Sequence, residues 1–199
     1  HDGEACTVED FLTAFEDASG RDLSQFRRWW SQAGTPRVDV DESNENGAYT
    51  LTLRQWTPPT PGQPEKQPLV IPLRLGLLNP NGAEIGGSGG SEDGAPPDDL
   101  IILDAERKRF RLEGLDARPV LSINRGFSAP VIIRRTVSEA ERAFLLAHDT
   151  DPLNKWEAGR DLARDGLLAM LRDGAQPDDL YLHALQAMLR DDLLDPAVR

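Results

Sequence analysis

The amino-acid sequence predicts an α+β chain in which short helices precede an immunoglobulin- or fibronectin-like antiparallel β-sandwich and an α-helical array follows it. Two changes of periodicity indicate this class. Apolar residues recur at helical spacing before residue 31 and again after residue 138. Between residues 37 and 135 they alternate with polar residues in roughly seven short runs, which turn signals separate.

The first helix is predicted over residues 7–19. Thr7 is its N-cap, Asp10 stands at the third helical position and Gly20 follows the last turn. Its apolar face consists of Val8, Phe11, Leu12 and Phe15.

A second helix is predicted from Asp22 or Ser24 through Trp29 and Trp30. The sequence Ala-Gly-Thr-Pro at 33–36 ends it, because Gly fits the left-handed position past a helix and Pro cannot continue one. Two large aromatic side chains beside this stop predict a packed joint between a helical and a β unit. An ordinary helix end with two core tryptophans fits the same residues.

The β region has turn chemistry between its alternating runs. Asn46-Gly47 favours a hairpin, Pro72 suggests an edge position or a bulge, and the Gly-rich residues 86–97 predict a mobile loop. The predicted strands cover residues 37–41, 49–56, 69–78, 100–103, 109–112, 120–123 and 131–135.

Three helices are predicted after residue 137. Ser138 and Glu141 form a Ser-x-x-Glu capping box, Asp151-Pro152 opens a longer helix that Gly174 ends, and Pro177 starts the third. The predicted apolar face of the long helix is Leu153, Trp156, Ala163, Leu167, Met170 and Leu171, and that of the third helix is Leu180, Leu185, Met188 and Leu189. Such short connections predict antiparallel packing in a bundle or a repeat array.

The composition argues against two classes of partner. The formal net charge is −12 and the sequence pI is about 4.7, so phosphate backbones and anionic membranes would be repelled, and the short basic runs do not form a compensating patch. No apolar run is long enough to span a bilayer. The single cysteine, Cys6, is consistent with a reducing, cytoplasmic compartment. A start without Met, and an Asp195-Pro196 near the end that resembles the opening of another helix, suggest a piece of a longer protein.

No catalytic, cofactor-binding or metal-ligating residue is predicted. His1, His148 and His183 have no partner at metal-ligand spacing, and no H-E-x-x-H occurs. His148 is interpreted as a capping or solvated residue, His183 as a partly buried neutral side chain and Cys6 as a small apolar filler. The glycines at 86–90 lack the Lys-Ser/Thr of a P-loop and are interpreted as a linker.

Several stretches resemble the bacterial aminopeptidase N family of zinc-dependent gluzincin peptidases. FRRWWSQAGTP at 26–36 resembles the junction where the family's catalytic domain ends and its β-sandwich begins. The chain opening at 1–11 resembles the tail of that catalytic domain. Further stretches in the same order are TPPTP at 57–61, EKQPLVIP at 65–72, FSAPV at 127–131, FLLAH at 144–148 and WEA at 156–158.

The resemblance implies a parent exopeptidase that removes single residues from peptide N-termini with one Zn²⁺. It divides the chain into catalytic-domain helices at 1–35, a bracing sandwich at 36–136 and the start of a lid-forming helical domain at 137–199. The family's zinc ligands, its G-A-M-E-N motif and its tyrosine have no counterpart here. The chain alone is therefore expected to bind no zinc and to be inactive, and surfaces left bare by the missing catalytic domain could self-associate.

Two other functions stay open from the sequence. One is a stand-alone β-sandwich that binds a protein or peptide, and the other is a structural adaptor built on the helical tail. A gene that begins near His1 would favour the first of these. An upstream H-E-x-x-H with a downstream Glu would favour the peptidase.

Overall fold

The computed structural model describes residues 3, 5–45, 47–85, 100–115, 117–176 and 178–190. His1 and the predicted loop at 86–97 lie outside them. The helices are α1 (Val8–Ser19), α2 (Arg28–Ser31), α3 (Glu139–His148), α4 (Pro152–Asp173) and α5 (Asp179–Leu189), with a 3-10 turn at Arg125–Phe127. The strands are β1 (Arg37–Glu45), β2 (Ala48–Trp56), β3 (Ile71–Leu78), β4 (Leu100–Leu103), β5 (Arg107–Glu113), β6 (Val120–Ile123) and β7 (Ile132–Arg134).

The predicted α+β class with a sandwich followed by a helical array is confirmed. The strands form one sheet in the order β5-β2-β1-β7 and another in the order β4-β3-β6. The residues between the sheets include Val38, Tyr49, Leu53, Leu73 and Leu121, all fully buried. They alternate with outward polar residues because successive strand side chains point to opposite faces.

Gln55 is the polar exception within this core. It is 3% exposed, and its amide donates to the carbonyls of Leu69 and Leu103 at 2.8 and 3.0 Å. Its oxygen accepts from the Leu69 N–H at 2.8 Å. These bonds satisfy both the donor and the acceptor of the Gln55 amide, so no buried polar group of this side chain is left unpaired. The bond to Leu103 also joins β2 of one sheet to β4 of the other.

The β turns follow the sequence closely. β1 and β2 pair in antiparallel register from Arg37 opposite Trp56 to Glu45 opposite Ala48, so the predicted hairpin between these two strands is confirmed. Pro72 lies in the middle strand of its sheet, but β6 pairs only with Leu75–Leu78. The Arg74 N–H points away from β4 to Ser128 Oγ, and Pro72, two residues earlier, faces the same unpaired side. No ladder hydrogen bond is therefore lost at the proline.

The ends of the helices agree with their predicted caps. Thr7 and Asp10 form a capping box on α1, and Gly20 adopts the left-handed conformation after it. Asp151 caps α4, Pro152 opens it and Gly174 ends it. The Ser138 box is only half formed: Ser138 accepts from the Glu141 N–H, whereas the Glu141 carboxylate turns to Arg135.

The second helix is shorter than predicted. Only Arg28–Ser31 is α-helical, and the residues before it form a tight turn in which Arg28 and Trp29 N–H donate to carbonyls three residues earlier. Asp22 closes its own turn by accepting from the Ser24 N–H instead of capping a helix.

The predicted apolar faces of the last two helices are partly wrong. α4 buries Lys155, Ala158 and Leu162 against its neighbours, whereas Trp156, Leu167 and Leu171 are at least half exposed. The small Ala158 and Gly159 permit close contact with α3, and Gly159 lies against Leu146. α5 buries Ala184 and Met188, one turn apart, and leaves Leu180 and Leu189 exposed.

Within the described part of the chain, no helix combines the length and apolar character that crossing a bilayer requires.

Candidate functional site: the two junctions of the sandwich

Of the residues considered for chemistry in the sequence, the structure describes Cys6, His148 and His183, and they do not form a metal-binding group. Among the described residues, no group of three or more His, Cys, Asp or Glu side chains could hold a metal ion. His148 is exposed in the last turn of α3, with its ring 4.7 Å from that of Phe144. The candidate functional surfaces are therefore the contacts that join the sandwich to the helices on either side of it.

Two interpretations of single residues were wrong. Cys6 is exposed, not an apolar filler, because it precedes the capped start of α1 and lies outside the helix. His183 is exposed, not partly buried, because it lies one position before Ala184 and so points about 100° away from the face that packs on α3.

At the first junction, side chains of the α2 region bind backbone groups of the extended segment at 67–70. Trp29 Nε1 donates to the Val70 carbonyl at 2.8 Å, and Arg28 donates to the Pro68 carbonyl at 2.7 Å. Gln32 donates to the Gln67 carbonyl at 3.1 Å and accepts from its N–H at 2.8 Å. No strand among the described residues pairs with 67–70, so the α2 region supplies several of the hydrogen bonds that a neighbouring strand would otherwise make.

The paired tryptophans have different environments. Trp29 packs against the sandwich core, while Trp30 is 49% exposed and contacts Phe26 edge-on at 5.2 Å. The predicted packed joint is therefore formed by Trp29. Trp30 contributes an aromatic surface on the other side of the turn.

α1 is attached to this turn mainly through Arg27. The guanidinium group donates to Glu16 at 2.6 Å and to Thr13 at 3.1 Å, and it also pairs with Glu9. The hydrogen bond from Arg27 lowers the pKa of the Glu16 carboxyl. Only Leu12 of α1 is buried. The rest of its apolar face is exposed and consists of Val8, Phe11 and Phe15.

At the second junction, Arg125 lies buried between the sandwich and the helices. Its guanidinium donates to Ser122 at 2.9 Å, to Glu84 at 2.7 Å and to Asp149 at 3.0 Å. It packs flat on the backbone at Gly76, where an added Cβ would lie 2.1 Å from the guanidinium carbon. The contact therefore connects β3, β6 and the corner between α3 and α4.

The carboxylate of Asp149 is fully buried, and its Oδ2 has no hydrogen-bond partner among the described residues. Burial raises the pKa of Asp149, although hydrogen bonds with Ser122 and the Asp151 N–H and the charge of Arg125 oppose this effect. Hydrogen bonds from Thr150 and Arg125 lower the pKa of Glu84. One guanidinium thus lies between a buried and a half-exposed acid whose pKa values shift in opposite directions.

The first residues of α4 also contact the sandwich, at β6 and the turn that follows it. Asp151 accepts from the Gly126 N–H at 2.8 Å, and Asn154 donates to Ser122 Oγ at 2.8 Å and to the Ile123 carbonyl at 3.0 Å. The cap of α4 therefore also fixes the turn after β6.

A second buried ion pair lies nearer α3. Arg135 donates to Glu141 at 2.7 Å and to the Leu121 carbonyl at 2.9 Å, and it lies 3.6 Å from Glu42. Tyr49 donates its hydroxyl to Glu42 at 2.8 Å. Burial raises the pKa of Glu141. Each of the two arginines therefore joins the sandwich to α3 or to the corner that follows it.

Sequence reasoning missed Arg125, Glu84 and Asp149. Glu84 and Asp149 are 41 and 24 positions from Arg125, and no local spacing connects them. One signal was present: Arg125 stands alone between an apolar strand and a glycine, where a charged side chain needs a specific partner if it is buried.

The comparisons with known proteins cover the whole chain. Residues 34–136 match a domain of unknown function, DUF3458, described as having an Ig-like fold, and residues 139–199 match DUF3458_C, described as ARM repeats.

The curated relatives are bacterial. Aminopeptidase N of Escherichia coli is 38% identical and that of Caulobacter vibrioides 43% identical, each over 100% of this chain. The chain spans 23% and 22% of these proteins.

A crystal structure of Legionella pneumophila aminopeptidase A in complex with aspartic acid matches with a TM-score of 0.73 and 30% identity. The match covers 96% of this chain and 21% of that one. The resemblance predicted from the sequence motifs is thereby confirmed, and the chain belongs to the DUF3458 family.

Proposed function

We propose that these 199 residues form the non-catalytic bracing and lid-support part of a zinc-dependent aminopeptidase, which removes single residues from the N-termini of peptides. The observation that carries the proposal is the alignment of the entire chain with less than a quarter of each aminopeptidase N relative. The remaining three quarters of such a protein leave room for a separate catalytic apparatus.

The described residues do not fit zinc. They contain no cluster of ligand side chains, and an aminopeptidase zinc site needs three protein ligands and an open position for water. The zinc and the peptide substrates are therefore assigned to the parent protein, and no catalytic step is assigned to this chain.

The two junctions support the bracing role. We assign residues 1–35 to the end of the catalytic domain, 36–136 to the brace and 137–199 to the first part of the lid. The buried ion pairs of Arg125 and Arg135 hold the lid segment at one angle to the brace. The exposed face of α1 is the surface that the rest of the catalytic domain would cover. The exposed single thiol of Cys6 fits a cytoplasmic parent.

The activity test uses the purified 199-residue chain and a chromogenic aminoacyl substrate, with and without added zinc. We expect no release of the chromogenic amine in either condition. Zinc-dependent turnover by this chain would overturn the proposal. A gene that begins near His1 would also overturn it in favour of a stand-alone binding module.

The bracing role has a test of its own in the α1 face. The double variant F11S/F15S changes side chains that are 55% and 53% exposed, so it should alter the stability of the 199-residue chain by no more than about 0.5 kcal/mol each. In the whole parent protein these positions would be buried, and the same variant should cost several kcal/mol and lower the activity. Equal small effects in both would contradict the assignment of α1 to the catalytic domain.

A further inference from the structure

Sheet pairing brings together arginines that the sequence scatters. Arg107, Arg109 and Arg111 alternate along β5 and are exposed, opposite the inward Phe110 and Leu112. In the register with β2, Arg107 lies opposite Arg54. The expectation that the basic residues form no patch was therefore wrong, because it considered neighbours along the chain and not across the sheet.

The same outer face continues across β1 to β7. Arg37 lies opposite Trp56 on one side and Ile132 on the other, and Asp39 lies opposite Arg54 and Arg134. We call this surface the arginine face; it consists of Arg37, Arg54, Arg107, Arg109, Arg111 and Arg134.

Only part of this charge is paired with carboxylates of the described residues. Arg54, Arg111 and Arg134 form ion pairs with Glu106, Glu113 and Asp39 at 3.2, 3.1 and 3.6 Å. Among the residues that the structure describes, no carboxylate lies within ion-pair distance of Arg107 or Arg109. Like charges directly opposite in a sheet repel each other, and Glu106 offsets this repulsion at Arg54, whereas none of the described carboxylates does so at Arg107.

Trp56 closes one end of the arginine face. Its ring lies 4.8 Å from the guanidinium carbon of Arg37 and 5.6 Å from that of Arg134, and its N–H donates to Asp39 at 2.9 Å. These contacts restrict the guanidinium groups of Arg37 and Arg134, so these two side chains lose less entropy when a partner binds.

We propose that the arginine face is a docking surface for an acidic polypeptide segment, one rich in Asp and Glu. At about 0.15 M salt the Debye length is about 8 Å, so a ligand on this sheet responds to the local charge more than to the net −12. Arginine forks bind carboxylates in bidentate geometry, and Arg is enriched at protein interfaces.

The details of this face favour a polypeptide over nucleic acid. Asp39 and Asp41 are interspersed on the same surface, where they would repel the regularly spaced phosphates of a nucleic acid, whereas a polypeptide can place its uncharged backbone or a neutral residue opposite them. Trp56 already has its ring against two guanidinium groups, so it offers no free platform for a stacked base.

The test titrates the 199-residue chain with a fluorescent, N-acetylated oligoglutamate peptide and measures anisotropy. We expect saturable binding that is lost between about 0.1 M and about 1 M salt, as the Debye length falls from about 10 to about 3 Å. The variant R107A/R109A should weaken binding about five- to thirtyfold.

The matched control, R21A/R172A, removes the same charge from exposed positions off the sheet and should change the affinity less than about twofold. Equal weakening by the control, or the absence of saturable binding, would overturn the proposal. So would tighter binding of an oligothymidylate of equal charge, or a dimer in sedimentation experiments that R107A/R109A abolishes. None of these results depends on whether the parent is a peptidase.

Discussion

The helices before the sandwich and the helices after it are attached by different kinds of contact. The α2 region binds backbone groups of one extended segment and inserts the ring of Trp29 beside the core. The C-terminal helices are joined through the buried guanidinium groups of Arg125 and Arg135. The first junction uses many modest contacts, most of them to backbone groups, and the second depends on a few buried ion pairs.

The two junctions should therefore respond differently to the loss of a single contact. Neutral hydrogen bonds and aromatic packing each contribute about 1 kcal/mol, so one loss is absorbed by the others. A buried ion pair contributes little net stability, but removing one partner leaves the other charge buried and uncompensated, which is strongly destabilising. The second junction should therefore fix the orientation of the helices strictly, and it should fail abruptly when one charge is removed.

The largest expected effect is that of Arg125→Met. The change leaves the fully buried Asp149 without its cation, and we expect a loss of about 3–5 kcal/mol in the free energy of unfolding, measured in urea. Arg172→Ala removes an exposed arginine and should change stability by no more than about 0.5 kcal/mol. A loss below about 1 kcal/mol for Arg125→Met would show that the guanidinium does not hold this junction.

Gly76→Ala tests the same contact without changing any charge. The new methyl would meet the Arg125 guanidinium at 2.1 Å, so the ion pair must shift, and overpacking of this kind costs about 1–3 kcal/mol. Gly166→Ala is the matched control, because Gly166 lies within α4 with nothing within 4 Å of an added Cβ. It should stabilise the chain by about 0.5–1 kcal/mol. A similar sign for both variants in denaturant unfolding would contradict the assigned contact.

The sequence predicted the features that depend on neighbours along the chain. The capped α1, the Asn46-Gly47 hairpin and the Asp151-Pro152 start of α4 each follow from residues within a few positions. These signals act through the chain's own backbone, so no knowledge of the fold is needed to read them.

Features that depend on distant residues could not be predicted in this way. α4 has apolar residues on two faces, and only the position of α3 decides that Ala158 and Leu162 are buried while Leu167 stays exposed. The partners of Arg125 come from two distant loops. A pattern shows which residues can be buried, and packing decides which of them are.

The pH dependence of stability gives a finer test of the Arg125 junction. Burial raises the pKa of Asp149, so between its unfolded value of about 3.9 and the higher folded value the folded state binds more protons than the unfolded state. Stability from this group therefore falls as the pH rises through that window. The pKa of Glu84 is lowered, so the contribution of Glu84 to stability rises with pH, in a window that lies below the pKa of an unfolded Glu.

Asp149→Asn isolates this contribution, because Glu84, Arg125 and Asp151 remain in both proteins. We expect the stability of the original chain relative to the variant to fall with rising pH by up to about 1.4 kcal/mol per pH unit within the window. Urea unfolding at a series of pH values measures it. A difference that rises with pH would mean that the hydrogen bonds of Asp149 and the charge of Arg125 together outweigh burial and lower the pKa of Asp149.

The smallest effect concerns the two tryptophans. Trp29→Phe keeps an aromatic ring against the core but removes the N–H that binds the Val70 carbonyl, so we expect a loss of about 1 kcal/mol. Trp30→Phe changes a side chain that is 49% exposed and should stay within about 0.5 kcal/mol of the original chain. Urea unfolding followed by far-UV circular dichroism measures both without relying on tryptophan fluorescence. Equal losses would mean that the adjacent rings act as one packed unit, whereas the expected inequality leaves Trp30 available to a surface outside this chain.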